Sequence, residues 1–235
     1  MRARQFSASG SQGAPGGAVR FTRPRPRARR AFTLLEAALA TVIIGVGVLA
    51  LIQAQATFVT TNEWSTQNAT ATYLCNELRE RVRSMPRHDA VSGLYFDASN
   101  VLRGWGPESN ETLAADYDDC DDFDGASFGA GGTFPGPIDA QGRLIPRIGL
   151  NGQPVLNAEG GSLPLEGWTQ TVAVTKVDPF NFATVRAPSY TRAASGSTPA
   201  LAVDRFPLRI TVTAWFQGPH DPARREMARV TWIQP

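Results

Sequence analysis

The side chains best suited to chemistry form an aspartate-rich run in the middle of the chain. Six carboxylates fall within nine residues, at Asp116, Asp118, Asp119, Asp121, Asp122 and Asp124. Carboxylates this close repel one another, and a hard cation such as Ca²⁺ is bound in proteins by six to eight oxygens. The sequence therefore predicts a weak structural Ca²⁺ site. A solvated acidic loop anchored to the core by Tyr117 and Phe123 is the alternative.

The spacing of these aspartates differs from that of an EF-hand. A frame that places Asp124 and Gly125 at the central turn begins at Cys120 and has Gly131 where a bidentate Glu is required. Any Ca²⁺ site here would belong to another class.

Catalytic patterns are weak in this sequence. Residues 125–129 read Gly-Ala-Ser-Phe-Gly, but a nucleophile elbow needs a strand before it and a helix after it, whereas an acidic run and a Gly-rich stretch flank Ser127. His88 and His220 fit no metal or triad spacing and are expected at the surface. We predict no enzymatic activity.

The two cysteines, Cys75 and Cys120, fit no zinc or redox motif. In an exported protein they could form one disulfide. Two independent residues, one on a helix and one in a loop, are the alternative.

The charge of the chain is divided unevenly. Residues 1–31 contain eight Arg and no acid, which leaves 15 basic and 21 acidic residues in the remainder. The basic segment has few large apolar residues, and we expect a disordered cytoplasmic leader. The net basic charge belongs to this leader, so no direct nucleic-acid binding is expected.

An apolar segment follows the leader at residues 32–52, with Glu36 as its only charge. Its length is about the ~20 residues that a transmembrane helix needs. The Arg-rich flank predicts a single-pass inner-membrane protein with a cytoplasmic N-terminus and a periplasmic C-terminal domain.

The helical pattern continues through residues 53–86, where Pro86 ends it. Glu77 and Arg81 are expected on the solvent-exposed face of this helix. Its apolar residues recur every three or four positions and predict one buried stripe, made of Ala71, Leu74, Cys75, Leu78, Val82 and Met85.

The rest of the chain predicts a small sheet. Residues 87–165 are rich in Gly, Pro, Asp and Asn and predict a loop-rich insertion. Within residues 166–235, alternating apolar residues predict strands at 168–177, 208–216 and 227–233. We expect an α+β fold in which the long N-terminal helix packs on a small antiparallel β-sheet.

The segment from Arg29 to Glu36, Arg-Arg-Ala-Phe-Thr-Leu-Leu-Glu before an apolar run, resembles the processing site of type IV prepilins. The resemblance implies cleavage between Ala31 and Phe32 by prepilin peptidase, N-methylation of Phe32, and an assembly role for Glu36. Ala31 departs from the usual Gly. In a filament, Glu36 could pair with a neighbour's Phe32 amine, or it could be a tolerated charge that reaches the headgroups.

Residues 73–86 and the acidic run are similar to parts of PilV-like and MSHA-type (MshD-like) minor pilins. The run resembles their Asp-Asp-Val-Asp-Asp-Tyr element, with Cys120 and Phe123 as departures. The resemblance implies a type IV pilin-like fold, a minor pilin function, and other pilin subunits as partners through the N-terminal helix. It also implies a final location in an extracellular pilus or pseudopilus. Gly45 and Gly47 resemble glycines that weaken pilin helices, and close helix packing is the alternative.

Two other functions stay open. The chain could be a minor pseudopilin of type II secretion, similar to its I-type subunits. Alternatively, Arg29 and Arg30 could belong to a twin-arginine signal cut after Ala56, which would release a soluble periplasmic binding protein that starts at Thr57.

Overall fold

The computed structural model describes residues 33–235. The predicted leader and the predicted cleavage site between Ala31 and Phe32 lie outside these residues. The chain divides into two compact units after Ala54.

A single helix, α1, spans Leu34–Arg83. It begins with a capping contact in which the backbone N–H of Glu36 donates to the hydroxyl of Thr33 at 3.2 Å. Later threonines donate to the carbonyl four residues earlier, as Thr41 does to Ala37 at 2.9 Å, so their hydroxyls are satisfied within the helix. Beyond the last residue of the helix, the backbone forms hydrogen bonds of the turn type. The N–H of Met85, for example, donates to the carbonyl of Val82 at 3.1 Å.

The second unit contains a five-stranded antiparallel sheet. Strands β1 (Tyr95–Phe96) and β2 (Leu102–Arg103) form a separate small hairpin. The strands of the main sheet are β3 (Ser127–Gly129), β4 (Trp168–Asp178), β5 (Asn181–Arg186), β6 (Leu208–Phe216) and β7 (Arg225–Gln234). Their order is β3-β4-β6-β7, and β5 also pairs with β4.

The core lies between the C-terminal part of α1 and the sheet. Five residues of the α1 stripe have no solvent exposure, namely Ala71, Leu74, Cys75, Leu78 and Val82. Alternate residues of β6 are equally buried, namely Leu208, Ile210, Val212 and Ala214. Burial of such apolar surface stabilises the folded state by about 25 cal/mol per Å² and is the main stabilising contribution to a unit of this kind.

One buried glutamine connects three parts of this unit. Gln170, on β4, donates from its amide nitrogen to the Leu74 carbonyl of α1 at 2.8 Å and to the Ile138 carbonyl at 3.1 Å. Its amide oxygen accepts the N–H of Ile138 at 2.8 Å. The side chain thus fixes the insertion and the helix to the same strand.

The prediction of an α+β fold with one long apolar N-terminal helix and an antiparallel sheet is confirmed. The three alternating segments are strands β4, β6 and β7. Part of the insertion is held by isolated β-bridges, such as the one between Ile138 and Leu144, which close small turns and do not extend into strands.

Truncation of the buried stripe should destabilise the protein more than the same truncation at the surface. We expect Leu78→Ala to lower the free energy of unfolding by about 2–5 kcal/mol, because it leaves a cavity at a fully buried site. Leu113, which is 62% exposed, is the matched control, and Leu113→Ala should change this free energy by less than about 0.5 kcal/mol. Denaturant unfolding of the full-length protein in detergent measures both, and equal losses would contradict the packing described here.

Candidate functional site

The apolar part of α1 has no protein cover within the described residues. It is long and apolar enough to cross a membrane, and none of its most apolar window is buried. Its exposed large side chains are Leu34, Leu35, Leu39, Val42, Ile43, Ile44, Val46, Val48, Leu49, Leu51 and Ile52. A continuous apolar surface of this kind marks a membrane or protein contact.

Glu36 is the one charged side chain on this surface. It is exposed and has no salt bridge with any residue in the described range 33–235. Phe32, its predicted partner in a neighbouring subunit, lies outside that range. Apart from the adjacent residues and the neighbouring backbone of the helix, no described atom lies within 4 Å of where a Cβ would be at Gly45 or Gly47.

The aspartate-rich run packs onto the core through its aromatic residues. The rings of Tyr117 and Phe123 are both buried and meet edge to face at 5.1 Å between centroids. The expected anchoring by these two residues is confirmed. The expectation of a solvated loop is wrong for Asp119, Asp121 and Asp122, which are at most 1% exposed because a short 3₁₀ helix at Asp121–Phe123 carries the chain inward.

Two exposed aspartates of the run accept hydrogen bonds from N–H groups elsewhere in the second unit. Asp116 accepts the N–H groups of Thr112 at 3.2 Å and Leu113 at 2.9 Å. Asp124 accepts the N–H of Val174 at 3.0 Å and the indole N–H of Trp105 at 3.2 Å. These carboxylates therefore have structural partners.

Asp121 belongs to a buried polar group with His88 and Lys176. Its Oδ1 lies 3.1 Å from Nδ1 of His88, and burial lowers the pKa of His88 to about 4. Burial also lowers the pKa of Lys176 to about 8, while its ammonium donates to the carbonyls of Pro188 and Val203. The prediction that His88 is a surface residue is wrong, since the residue is buried beside Asp121.

The remaining aspartates gather around Asp122. Its Oδ2 accepts the N–H groups of Asp118 and Asp119, both at 3.0 Å, whereas its buried Oδ1 has no hydrogen-bond partner. One oxygen each from Asp118, Asp119 and Asp122 lie within 4.8 Å of one another, and so do oxygens from Glu108, Glu111 and Asp122. Asp122 is common to both groups.

Several carboxyl groups in this cluster have raised pKa values. Burial is the largest cause for Asp119, whose pKa rises to about 8, and for Asp122 and Glu108, whose pKa values rise to about 7. Neighbouring carboxylates raise them further, as Asp121 does for Asp119. Burial and mutual repulsion therefore favour the protonated, neutral forms of these carboxyl groups.

Glu108 and Glu111 were not among the predicted ligands. They precede the aspartate-rich run, and the N–H of Glu108 donates to the carboxylate of Glu111 at 2.9 Å. The sequence shows that both are acids close to the run, but it contains no motif that predicts the turn bringing them near Asp122.

Arg81 is a further residue whose role the sequence did not reveal. It was expected on the solvent-exposed face of α1, but it is buried. Its guanidinium donates to the carbonyls of Ala114 at 2.7 Å and Tyr117 at 3.4 Å. It also lies 5.9 Å from the centre of the Phe123 ring. Arg81 therefore fixes the segment leading into the acidic loop to the helix.

The two cysteines are free, buried thiols, so the disulfide considered above is absent. Cys75 contacts the carbonyl oxygens of Val212 at 3.8 Å and Ala228 at 3.6 Å. Cys120 lies instead near the end of α1, 3.5 Å from the Val82 carbonyl. The alternative of two independent residues describes them correctly.

The other candidate residues are dispersed. Ser127 starts β3 and pairs with Thr171, so it lies within a strand and not at a strand-to-helix turn. His220 is exposed in the turn before β7.

Comparison with protein-family models, curated proteins and solved structures finds no match to this chain.

The buried thiol of Cys75 predicts a loss of stability in alkaline solution. Burial raises its pKa from 9.0 to about 11, so the folded state keeps a proton that the unfolded state releases. The stabilisation is complete below about pH 9 and is lost as the pH rises toward 11. Over this window, the wild type should lose about 2 kcal/mol more free energy of unfolding than Cys75→Ala.

Equilibrium unfolding at several pH values measures this difference. Every other titrating group, including Cys120, is present in both proteins, so the difference isolates Cys75. Parallel stability curves for the two proteins would show that the thiol does not titrate in this way.

Proposed function

We propose that this chain is a prepilin-type structural subunit, a minor pilin anchored by the apolar part of α1 and assembled into a type IV pilus or a related filament. The observation that carries the proposal is the apolar helix of residues 34–52, in which no residue is buried and Glu36 lies near the start. A carboxylate in this position costs about 2.5–3.5 kcal/mol in a bilayer unless it has a partner. A positively charged amine of an adjacent subunit would supply one.

The second unit supports this function because its core is self-contained. The buried stripe of α1 begins at Ala71, well after the apolar segment. Residues 34–52 can therefore contact lipid, or other helices, without removing any buried residue of the sheet unit. A pilin-like subunit needs this separation, since its N-terminal helix leaves the membrane for a filament.

The same feature defines the competing proposal. A cut after Ala56 would also leave the buried stripe complete, and it would produce a soluble protein. The two functions differ in the first residue of the mature chain.

The N-terminal mass of the protein from its own host distinguishes these functions. We expect membrane and sheared-filament fractions to contain a chain that begins with N-methylated Phe32. A soluble periplasmic chain that begins at Thr57 would overturn the pilin proposal and favour an exported binding protein.

Glu36→Gln should allow membrane insertion but prevent assembly, because it removes the charge proposed to pair with the neighbouring amine. We expect the sheared-filament fraction of this variant to fall at least about tenfold, which corresponds to about 1.4 kcal/mol of lost interaction. Glu63→Gln is the matched control, since Glu63 is an exposed acid on the same helix, and it should assemble normally. Equal filament recovery for both variants would exclude the proposed role of Glu36.

A further inference from the structure

We infer that Glu108, Glu111, Asp118, Asp119 and Asp122 form a binding site for one Ca²⁺ ion, centred on the carboxylate of Asp122. The site does not depend on the proposed function. It differs from the ligand set predicted from the sequence, because the two oxygen groups that share Asp122 include Glu108 and Glu111 and do not include Asp116, Asp121 or Asp124.

The unpartnered oxygen of Asp122 is the first reason for this inference. Asp122 is 1% exposed, and one of its oxygens already accepts two backbone N–H groups. The other oxygen, Oδ1, is buried without a hydrogen-bond donor. A buried carboxylate oxygen is costly unless a donor or a cation satisfies it.

Geometry is the second reason. In each of the two groups that share Asp122, the three carboxylate oxygens lie within 4.8 Å of one another. Ca²⁺ binds oxygens at about 2.3–2.6 Å, so two ligands on opposite sides of the ion are roughly 4.6–5.2 Å apart. The oxygens of each group are therefore close enough to share one ion.

The missing counter-charge is the third reason. Within residues 33–235, no salt bridge joins Arg, Lys or His to any of these five acids. A divalent cation would supply the counter-charge that no basic side chain among the described residues supplies through a salt bridge.

The chemistry of the donors favours Ca²⁺ over other ions. All five side chains offer carboxylate oxygens, and the cluster contains no imidazole or thiolate for Zn²⁺. Mg²⁺ requires near-ideal octahedral geometry at about 2.0–2.1 Å, whereas Ca²⁺ accepts irregular sets of six to eight oxygens. Water and backbone carbonyls would complete its coordination.

Calorimetric titration of the chelator-treated full-length protein in detergent with CaCl₂ tests this inference. We expect one ion per chain, a Kd on the order of 0.1–1 mM as in extracellular Ca²⁺ modules, and a higher melting temperature with Ca²⁺. Mg²⁺ at the same concentration should give a smaller thermal shift. An absence of heat and thermal shift at millimolar Ca²⁺, or an equal shift with Mg²⁺, would overturn the inference.

Two variants locate the site. Asp122→Asn keeps an oxygen for the two backbone N–H groups but removes the charge, and it should weaken Ca²⁺ binding at least about tenfold. Glu111→Gln, at a half-exposed position, should weaken binding similarly and serves if Asp122→Asn does not fold.

Asp116→Asn is the matched control, because Asp116 lies in the same loop, is exposed, and accepts backbone N–H groups from Thr112 and Leu113. The Ca²⁺ affinity of this variant should stay within about twofold of that of the wild type, since Asp116 supplies no ligand. Equal weakening by Asp116→Asn and Glu111→Gln would show a diffuse effect of charge and would contradict a defined site.

Discussion

The contact between one stripe of helix α1 and the inner face of the sheet is the constraint on which the second unit depends. Leu74, Cys75 and Leu78 have no solvent exposure, and they cover the apolar side chains of the central strand β6. The side chain of Gln170 adds a directional contact to this nonpolar packing. Loops that contribute few apolar residues can then be attached by hydrogen bonds to a surface that is already fixed, as the insertion is through Ile138.

The periodic elements could be predicted from the sequence, whereas the buried polar residues could not. A period of three or four residues predicts a helix stripe and alternation predicts a strand, because both patterns are local. The burial of Arg81 depends on carbonyl groups at Ala114 and Tyr117, more than 30 residues away, and no local pattern encodes that contact. The aspartate-rich run was visible as a cluster, but its division into buried and exposed members depends on a 3₁₀ turn and on His88 from another segment.

The acidic loop combines two kinds of carboxylate within a short stretch of chain. Asp116 and Asp124 stabilise the loop by accepting backbone or indole N–H groups, as turn residues commonly do. Asp119 and Asp122 also accept backbone N–H groups, but they are buried close to other acids, and this arrangement raises their pKa values. Ionisable groups with pKa values perturbed in this way cluster at functional sites.

The two free thiols have a consequence for how the protein must fold in the location that we propose. An extracytoplasmic compartment is oxidising, and unprotected cysteines there are converted to disulfides or oxidised further. Cys75 and Cys120 escape this only after the helix and sheet have closed over them. In that location, folding of the sheet unit would compete in time with thiol oxidation, and slow folding would leave both thiols open to disulfide formation within or between chains.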